Sequence, residues 1–297
     1  MDAFGRLDFS AAPSRAFLLG NQGPDPLFYA VMRPRTCVHA GLGQQIHRLD
    51  PARIIREFIC ESGDAPLAYR EVIRGFAAGF TCHFLLDSYV HPLIIGQQRA
   101  YCAAGVPGLT EADETDVHMF IERDIDEVAL YATRGVTVAD FDPSVEILDV
   151  DDWTLGIVSR AMAAAVRRSM GVKISDGHFA RCVRLFRFSE HALHSPTGEW
   201  REHLSSVESK FRHFPFCRNM MLRPVEAQTS PFLNLDHAPW TDPFSGKRRN
   251  ESFQSLAEDA LADAVAWIPR LFGDGVVSVD LVREKTKGYD FLGGQRC

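Results

Sequence analysis

The chain has 297 residues, of which 46% are hydrophobic and 24% are charged. This balance is that of an ordinary globular protein, and it excludes a disordered or low-complexity architecture. The formal net charge is -7, so the chain lacks the overall basic surface of proteins that bind duplex DNA. We therefore expect no stable nucleic-acid complex.

Membrane and export signals are also weak in this sequence. No apolar run reaches the roughly 18 residues of a membrane-spanning helix, so no transmembrane segment is predicted. Residues 1–8 lack the cationic start and apolar core of a secretory signal. The seven cysteines form no C-x-x-C pair, which favours free thiols in a reducing compartment. Together these features predict a cytoplasmic location.

Most of the chain shows the hydrophobic period of an α-helix. Asp50 and Pro51 are typical of a helix start, and Thr110 with Asp113 forms a capping-box pattern. Pro92 is expected to kink or end the helix that contains it. The predicted helices cover residues 51–62, 65–95, 110–133, 152–170, 176–194 and 251–272.

Other structure is sparse in the sequence. Residues 276–282 give the best strand signal, and residues 223–247, with four prolines, form the longest irregular stretch. Loops of this length are often functional or pack over an active site. No repeat or Gly/Ser/Pro-rich linker divides the chain. We therefore predict an all-α fold, with many helices in a single domain over residues 1–297.

The strongest chemical signal lies within the predicted helix at 65–95. His83, Asp87 and His91 are spaced one helical turn apart, so they share a stripe roughly 80° wide. The residues between them are mostly apolar, which predicts that the stripe faces the interior. Buried imidazoles and carboxylates need polar partners, and one divalent metal ion would provide a partner for all three side chains.

The next helix repeats this spacing with His118, Glu122 and Asp126. Two antiparallel helices would bring both stripes together into a metal cluster in the helical core. Nitrogen and carboxylate ligands suit zinc, and also iron or manganese. A hydrogen-bonded His–carboxylate pair without metal is the simpler interpretation of either stripe taken alone.

A carboxylate in a stiff turn completes the set of candidate ligands. Asp25 stands between Pro24 and Pro26 after Gly23, which holds the backbone in a fixed geometry. His39 and His47 follow as the next histidines. An aspartate in an ordinary turn would explain this segment equally well.

Taken in order, these elements resemble the bacterial zinc-dependent phospholipase C family, which is related to the single-strand-specific zinc nucleases. The residues that carry the resemblance are Gly23-Pro24-Asp25, the His83/Asp87/His91 helix and the His118/Glu122 helix, with a looser match over residues 230–262. The resemblance implies an all-helical fold that hydrolyses phosphodiesters with zinc.

The resemblance also implies how the ligands are shared between ions. Asp25, His47, His83 and Asp87 would hold one zinc, and Asp87 would bridge it to a second. His91, His118 and Glu122 would hold another zinc. His47 is preferred to His39 because of its Gly-x-x-x-His context, which is expected to stand at the head of a helix. Asp126 matches no family ligand and is expected to orient a ligand imidazole.

The number of ions is left at two or three. The family takes further ligands for one zinc from an N-terminal segment that includes a His, and no His precedes His39 here. The expected function is a zinc phosphodiesterase in which metal-activated water attacks phosphorus and Asp25 orients that water. The expected substrate is a small phosphodiester or a phospholipid.

Three other functions compete with this one. A catalytically impaired relative would use the metals as structural staples in a binding module. An HD-type phosphohydrolase needs an adjacent His-Asp dyad, and the sequence contains no His-Asp dipeptide. A ferritin-like protein needs Glu-x-x-His pairs on two helices, and residues 190–194 offer no clear pair of that form.

Overall fold

The structure is a computed structural model that describes residues 11–105, 109–211, 216–272 and 278–295. Within these ranges it contains thirteen α-helices and two short strands. The prediction of an all-α fold is therefore confirmed. Residues 1–8, on which the expectation about export depended, lie outside the described ranges.

The elements follow one another with short connections. The α-helices are α1 (Ala12–Gly20), α2 (Pro34–Cys37), α3 (Leu42–His47), α4 (Pro51–Asp64), α5 (Leu67–Ala103), α6 (Glu114–Arg134), α7 (Pro143–Glu146), α8 (Asp152–Met170), α9 (His178–Leu193), α10 (Glu199–Glu208), α11 (Phe216–Met220), α12 (Phe253–Leu271) and α13 (Val279–Thr286). Short 3₁₀ helices cover Asp25–Met32, Glu111–Asp113 and Pro231–Leu233. The strands β1 (Trp240–Thr241) and β2 (Arg248–Arg249) pair antiparallel.

Local capping explains why several helices begin where the sequence predicts. The Asp50 carboxylate accepts a hydrogen bond from the Ala52 amide, 3.0 Å away, at the start of α4. Thr110 and Asp113 form the predicted capping box ahead of α6. Helix α8 has its predicted bounds because Asp151 caps its first turn and a left-handed glycine, Gly171, ends it.

Two features of the sequence correspond to helix in the structure. Residues 276–282, which give the best strand signal, form no strand over their described part, because Val279 begins α13, where Ser278 accepts a hydrogen bond from the Leu281 amide. Residues 276 and 277 lie outside the described ranges. Pro92 does not end α5, which continues to Ala103. A proline removes one amide donor from the helix, and the remaining hydrogen bonds continue past it.

The described residues group into two compact units. The first unit comes from residues 1–89, 147–188 and 258–297, and the second from residues 90–146 and 189–257. The first has a core rich in phenylalanine, with Phe58, Phe76, Phe80, Phe179 and Phe291. The single-domain assignment stays a prediction.

The second unit contains a smaller aromatic cluster. The rings of Tyr101, Phe120 and Phe232 lie with centroids 5.7–6.2 Å apart. These residues join α5, α6 and the 3₁₀ helix at Pro231–Leu233. Aromatic packing of this kind fixes the position of α6 on its neighbours within the unit.

In the first unit, α1 approaches α5 closely through glycines. A Cβ atom at Gly75 would lie 2.3 Å from the carbonyl oxygen of Pro13, and one at Gly79 would lie 2.2 Å from that of Phe17. Gly20 makes the reciprocal contact on α1, where a Cβ would lie 2.2 Å from the Phe76 carbonyl oxygen. Any larger side chain would force the two helices apart. This contact places the turn after α1 against the middle of α5.

Candidate metal centre

The first candidate centre lies in the first unit, where Asp25, His47 and His83 converge. One ligand atom from each lies within 4.8 Å of the others. Nε2 of His47 is 3.1 Å from Oδ1 of Asp25. Asp25 begins the 3₁₀ helix, His47 ends α3 and His83 lies in the middle of α5. Three elements that are distant in sequence therefore supply one group of ligands.

Hydrogen bonds on the far side of each imidazole orient the ring nitrogens of this centre. Nδ1 of His47 lies 2.8 Å from the carbonyl oxygen of Gly43, and Nδ1 of His83 lies 3.2 Å from that of Asn21. A carbonyl can only accept, so Nδ1 carries the proton in both rings. In the neutral imidazole, Nε2 then has a lone pair directed at the carboxylates. This is the usual arrangement of a metal-ligating histidine.

Asp87 lies beside this centre, although it is not one of the three residues whose ligand atoms all lie within 4.8 Å of one another. Its Oδ2 lies 3.2 Å from Nε2 of His83 and 3.9 Å from Nε2 of His47. The Asp87 side chain is largely buried, with 14% of its surface exposed. Its proposed role as a bridge to a second ion stays a prediction.

The position of His83 is also fixed by the turn that carries Asp25. Gly23 has a left-handed φ of +51°, and a Cβ atom there would lie 2.1 Å from Cδ2 of His83. The backbone of this turn therefore touches the imidazole directly. Only glycine satisfies both the conformation and the contact.

Aromatic rings surround the histidines of this centre. The ring of Phe28 stacks on that of His47 with centroids 5.3 Å apart. Phe291 lies 5.3 Å from His47 and 5.9 Å from His83, again between ring centroids. An apolar surrounding strengthens electrostatic interactions inside the site, because it lowers the local dielectric. Asp25 remains the accessible member, since 38% of its side chain is exposed.

The second candidate centre lies in the second unit and consists of His91, His118 and Glu122. One ligand atom from each again lies within 4.8 Å of the others. Oε1 of Glu122 is 3.4 Å from Nε2 of His91 and 3.1 Å from Nε2 of His118. His91 comes from α5 and the other two come from α6, one turn apart. The structure therefore brings together these three predicted ligands.

A glutamine orients His118 in the second centre. Nδ1 of His118 lies 2.6 Å from Oε1 of Gln98, and the amide nitrogen of Gln98 donates to Glu114 over 3.2 Å. The contact with Glu114 fixes which end of the amide faces the imidazole, because a carboxylate only accepts. Nδ1 of His118 therefore donates, and its Nε2 is left to face Glu122.

The electrostatics of the second centre favour a charged carboxylate. Partial burial would raise the pKa of Glu122, but the opposing interactions with His118 and His91 lower it well below its usual value. Glu122 keeps 40% of its side chain exposed. An ionised carboxylate beside two imidazoles is a suitable set of donors for a divalent cation.

The spacing of the donor atoms agrees with a metal at each centre. Nitrogen and oxygen ligands lie about 2.0–2.2 Å from zinc, so neighbouring ligands of a tetrahedral ion are separated by roughly 3.4 Å. Four nitrogen–oxygen distances, of 3.1–3.4 Å, lie close to this value. They are those of the pairs His47–Asp25, His83–Asp87, His91–Glu122 and His118–Glu122. In His47, His83 and His118, Nδ1 faces a hydrogen-bond acceptor, so Nε2 is left with a lone pair. A cation bound between these Nε2 atoms and the carboxylate oxygens would have ligands of both kinds in each centre.

The structure differs from the sequence-based expectation for two residues, Asp126 and His47. Asp126 lies 3.5 Å from Arg123 with 57% of its side chain exposed, and the group that orients His118 is Gln98 instead. The exposed position of Asp126 on α6 explains the difference. His47 ends α3, whereas the sequence placed it at the head of a helix. Its backbone position still directs Nδ1 to the Gly43 carbonyl one turn earlier.

The long irregular segment is held in place by Trp240. Its indole nitrogen donates to the carbonyl oxygen of Glu251 over 3.1 Å. The Arg249 guanidinium lies 4.7 Å from the centre of the Trp240 ring. These contacts anchor the segment to the start of α12. The strand pairing of Trp240 with Arg249 was not expected from the sequence.

Comparison of the chain with protein-family models, with curated proteins and with solved structures found no match. Among the described residues, no helix has both the length and the apolar character to cross a membrane. The two centres are therefore characterised by their geometry alone.

Proposed function

We propose that this chain is a metal-dependent hydrolase of phosphoric esters, similar to the zinc-dependent phospholipases C. The observation that supports this proposal is the pair of His/carboxylate groups. The first joins Asp25, His47 and His83, and the second joins His91, His118 and Glu122. Mixed histidine and carboxylate ligands are typical of catalytic rather than closed structural zinc sites.

Zinc held at such a centre would supply a Lewis acid that lowers the pKa of water toward about 7 and neutralises charge on phosphoryl oxygens. The residues of the chain then have separate roles. His47 and His83 hold their ligand nitrogens in place through the backbone carbonyls on their far sides. Asp25 is the partly exposed carboxylate of the first centre, so it is the group placed to accept a hydrogen bond from a nucleophilic water.

Two zinc ions, one at each group, are the occupancy that these ligands favour. A third ion is part of the family resemblance, and it would need ligands beyond these two groups. The proposed substrate is a small phosphodiester or a phospholipid, because both present the same phosphoryl group to the metals.

The direct test is hydrolysis of bis(4-nitrophenyl) phosphate by the zinc-loaded protein. We expect release of nitrophenol, and loss of at least about a hundredfold in rate for His83→Ala, since removal of one ligand disrupts the metal centre. His203→Ala is the matched control, because His203 is exposed and stacks on Trp200. Equal rates for the His83→Ala variant and the wild type would contradict the proposal.

A non-catalytic metal-binding module is the second candidate. The observation that favours it is the sequence separation of the ligands: the first centre ties the turn at Asp25 to α3 and to α5. A metal there would act as a structural staple. Full zinc content without hydrolysis of lipid, nucleotide or nucleic-acid phosphodiesters would support this function over the first.

A further inference from the structure

A small polar cavity lies on the other side of α6 from the second metal centre. At about 100° per residue, Arg123 and Glu127 fall roughly 140° and 180° around the helix from His118. Both line the cavity, together with side chains from α10, α11 and the segment that follows α11. The cavity measures about 10 Å³, which is enough for about one water-sized group.

The walls of this cavity carry more positive than negative charge. They contain four guanidinium groups, from Arg123, Arg201, Arg218 and Arg223, and two carboxylates, from Asp124 and Glu127. Their formal net charge is therefore about +2. A phosphate group carries about −1.5 to −2 at neutral pH, which matches this excess.

One arginine uses both carboxylates. Nη2 of Arg223 lies 2.5 Å from Oδ1 of Asp124 and 2.5 Å from Oε2 of Glu127. The Arg223 amide and Nε also donate to Glu127. Arg123 pairs with Glu190 over 3.0 Å. Asp124 and Glu127, the two carboxylates of the wall, are therefore already engaged by Arg223.

Three donors at the cavity have no acceptor among the residues that the structure describes. Nε of Arg201, Nε of Arg218 and Nδ2 of Asn219 are buried, and no described residue lies within hydrogen-bonding distance of them. Asn219 is only 8% exposed, so its amide is largely shielded from bulk water. Buried donors are normally satisfied, because leaving one unpaired costs free energy. The described part of the cavity therefore lacks an acceptor for these three donors.

The electrostatics of Arg201 agree with an excess of positive charge around the cavity. Burial lowers its pKa, and the nearby charges of Arg218 and Arg223 lower it further. The carboxylate that pairs with its guanidinium is that of Glu202, 3.1 Å away. An anion in the cavity would remove the repulsion between the arginines.

We propose that this cavity binds a tetrahedral oxyanion of the phosphate class, with one oxygen accepting hydrogen bonds from Arg201, Arg218 and Asn219. The small volume admits that one oxygen, and the rest of the anion lies outside the cavity. Guanidinium groups are well suited to phosphate because they donate charged hydrogen bonds in a fixed geometry. The site uses none of the metal ligands and does not depend on hydrolysis.

The test is titration of the zinc-loaded protein with inorganic phosphate, followed by calorimetry and by thermal unfolding. We expect Arg218→Gln to weaken phosphate binding by about tenfold or more, because a charged donor is lost. Arg167→Gln is the control, since Arg167 is an exposed arginine on α8. Binding that Arg218→Gln leaves unchanged would overturn the proposal, as would the absence of binding by wild type at about 10 mM phosphate, a level that even weak anion sites fill.

A second variant tests the same site by adding an acceptor instead of removing a charged donor. Asn219→Asp supplies a carboxylate to the unpartnered donors, so it should raise Tm in the absence of phosphate and abolish the phosphate-dependent rise. A lower Tm with the phosphate response retained would contradict the assignment.

Phosphate could also bind zinc, so the titration is repeated with the double variant His83→Ala/His118→Ala. The binding that depends on Arg218 should persist there, whatever the outcome for hydrolysis. Loss of all binding in this variant would place the phosphate at the metals. In crystals soaked with tungstate, an anomalous peak at the cavity would support the site, and peaks confined to the metal centres would overturn it.

Discussion

The hydrogen bond on the far side of an imidazole decides which ring nitrogen can bind a metal. In both candidate centres this bond is made to an acceptor that cannot donate: a backbone carbonyl for His47 and for His83, and the oxygen of Gln98 for His118. Each ring is thereby fixed in one tautomer. The partners on the far side are thus as much part of the centres as the ligands are.

Replacement of Gln98 by leucine should weaken zinc binding at the second centre. We expect a loss of about 10- to 100-fold in affinity, because His118 loses the acceptor that orients it. Isothermal titration of zinc measures this directly. Gln97→Leu is the control, since Gln97 is adjacent in α5 but donates to the Phe232 carbonyl. Equal losses in the two variants would show that Gln98 has no special role.

Gly23→Ala should displace His83. Its new Cβ would lie 2.1 Å from the imidazole, in addition to the strain of a left-handed residue. Gly135 is the matched control, because it has a φ of +65° and a Cβ added there would have nothing within 4 Å. In both variants, backbone strain should lower the free energy of unfolding by about 1 kcal/mol.

The two glycine variants should differ in their metal content. Zinc at the first centre should be lost in Gly23→Ala and kept in Gly135→Ala, as elemental analysis would show. Full zinc content in both proteins would mean that His83 does not depend on the Gly23 turn.

The sequence predicted most members of the two candidate centres but not the residues that orient them. Candidate ligands one helical turn apart leave a periodic pattern that can be recognised in the sequence. This pattern predicted His83, Asp87, His91, His118 and Glu122. Gln98 had a weaker signal: it lies seven residues after His91, which is two turns along the same face of α5. The roles of Gly43 and Asn21 could not be predicted, since their backbone carbonyls act through the tertiary arrangement.

At the scale of elements, helix ends were predictable where side chains cap them. Helix α8 is the clearest example, with Asp151 at its start and Gly171 at its end. Helix α10 was missed because it has no buried residue among those described, so it shows no apolar stripe. The strand signal at residues 276–282 is misleading because Val282 is buried on one face of α13. Tertiary burial there outweighs the β-propensity of a valine-rich stretch.

The cap of α8 should make stability depend on acid pH. Hydrogen bonds from Thr154 lower the pKa of Asp151 below its value of about 3.8 in the unfolded chain. A lowered folded-state pKa means that the stabilising contribution is present above about pH 4 and is lost as the pH falls through the folded-state value.

Two substitutions separate the charge of this cap from its hydrogen bond. Asp151→Ala should lower the free energy of unfolding by about 1 kcal/mol at pH 7, because the helix cap is lost. Asp151→Asn keeps an acceptor and removes the charge, so its deficit relative to wild type should shrink below pH 4. Urea unfolding between pH 3 and 7 measures both, with exposed Asp140→Asn as the control. A deficit for Asp151→Asn that is constant with pH would contradict this account.

At the scale of the whole molecule, each candidate metal centre connects segments that are distant in the sequence. A ligand that binds only the folded state stabilises it by mass action, by about 4 kcal/mol at a thousandfold excess over Kd. Removal of zinc by EDTA should therefore lower Tm by several degrees. EDTA already saturated with zinc is the control, and equal Tm values in the two solutions would show that metal binding is not coupled to folding.

The convergence of the ligands is the feature that the sequence could suggest but not establish. Helical spacing placed His118 and Glu122 on one face of α6, yet nothing in the spacing brings that face to His91. The close contact of α1 with α5, which sets Asp25 beside His83, depends on three glycines whose role is visible only in the packing. Local pattern thus identifies the candidate ligands, and tertiary contacts assemble them.

The most direct measurement is calorimetric titration of zinc into the chelator-treated protein, with His83→Ala and His118→Ala beside it. The two groups predict two equivalents of zinc bound tightly per chain, and one equivalent in each variant. Absence of tight binding in the wild-type protein, or unchanged stoichiometry in both variants, would contradict the assignment of these residues as metal ligands.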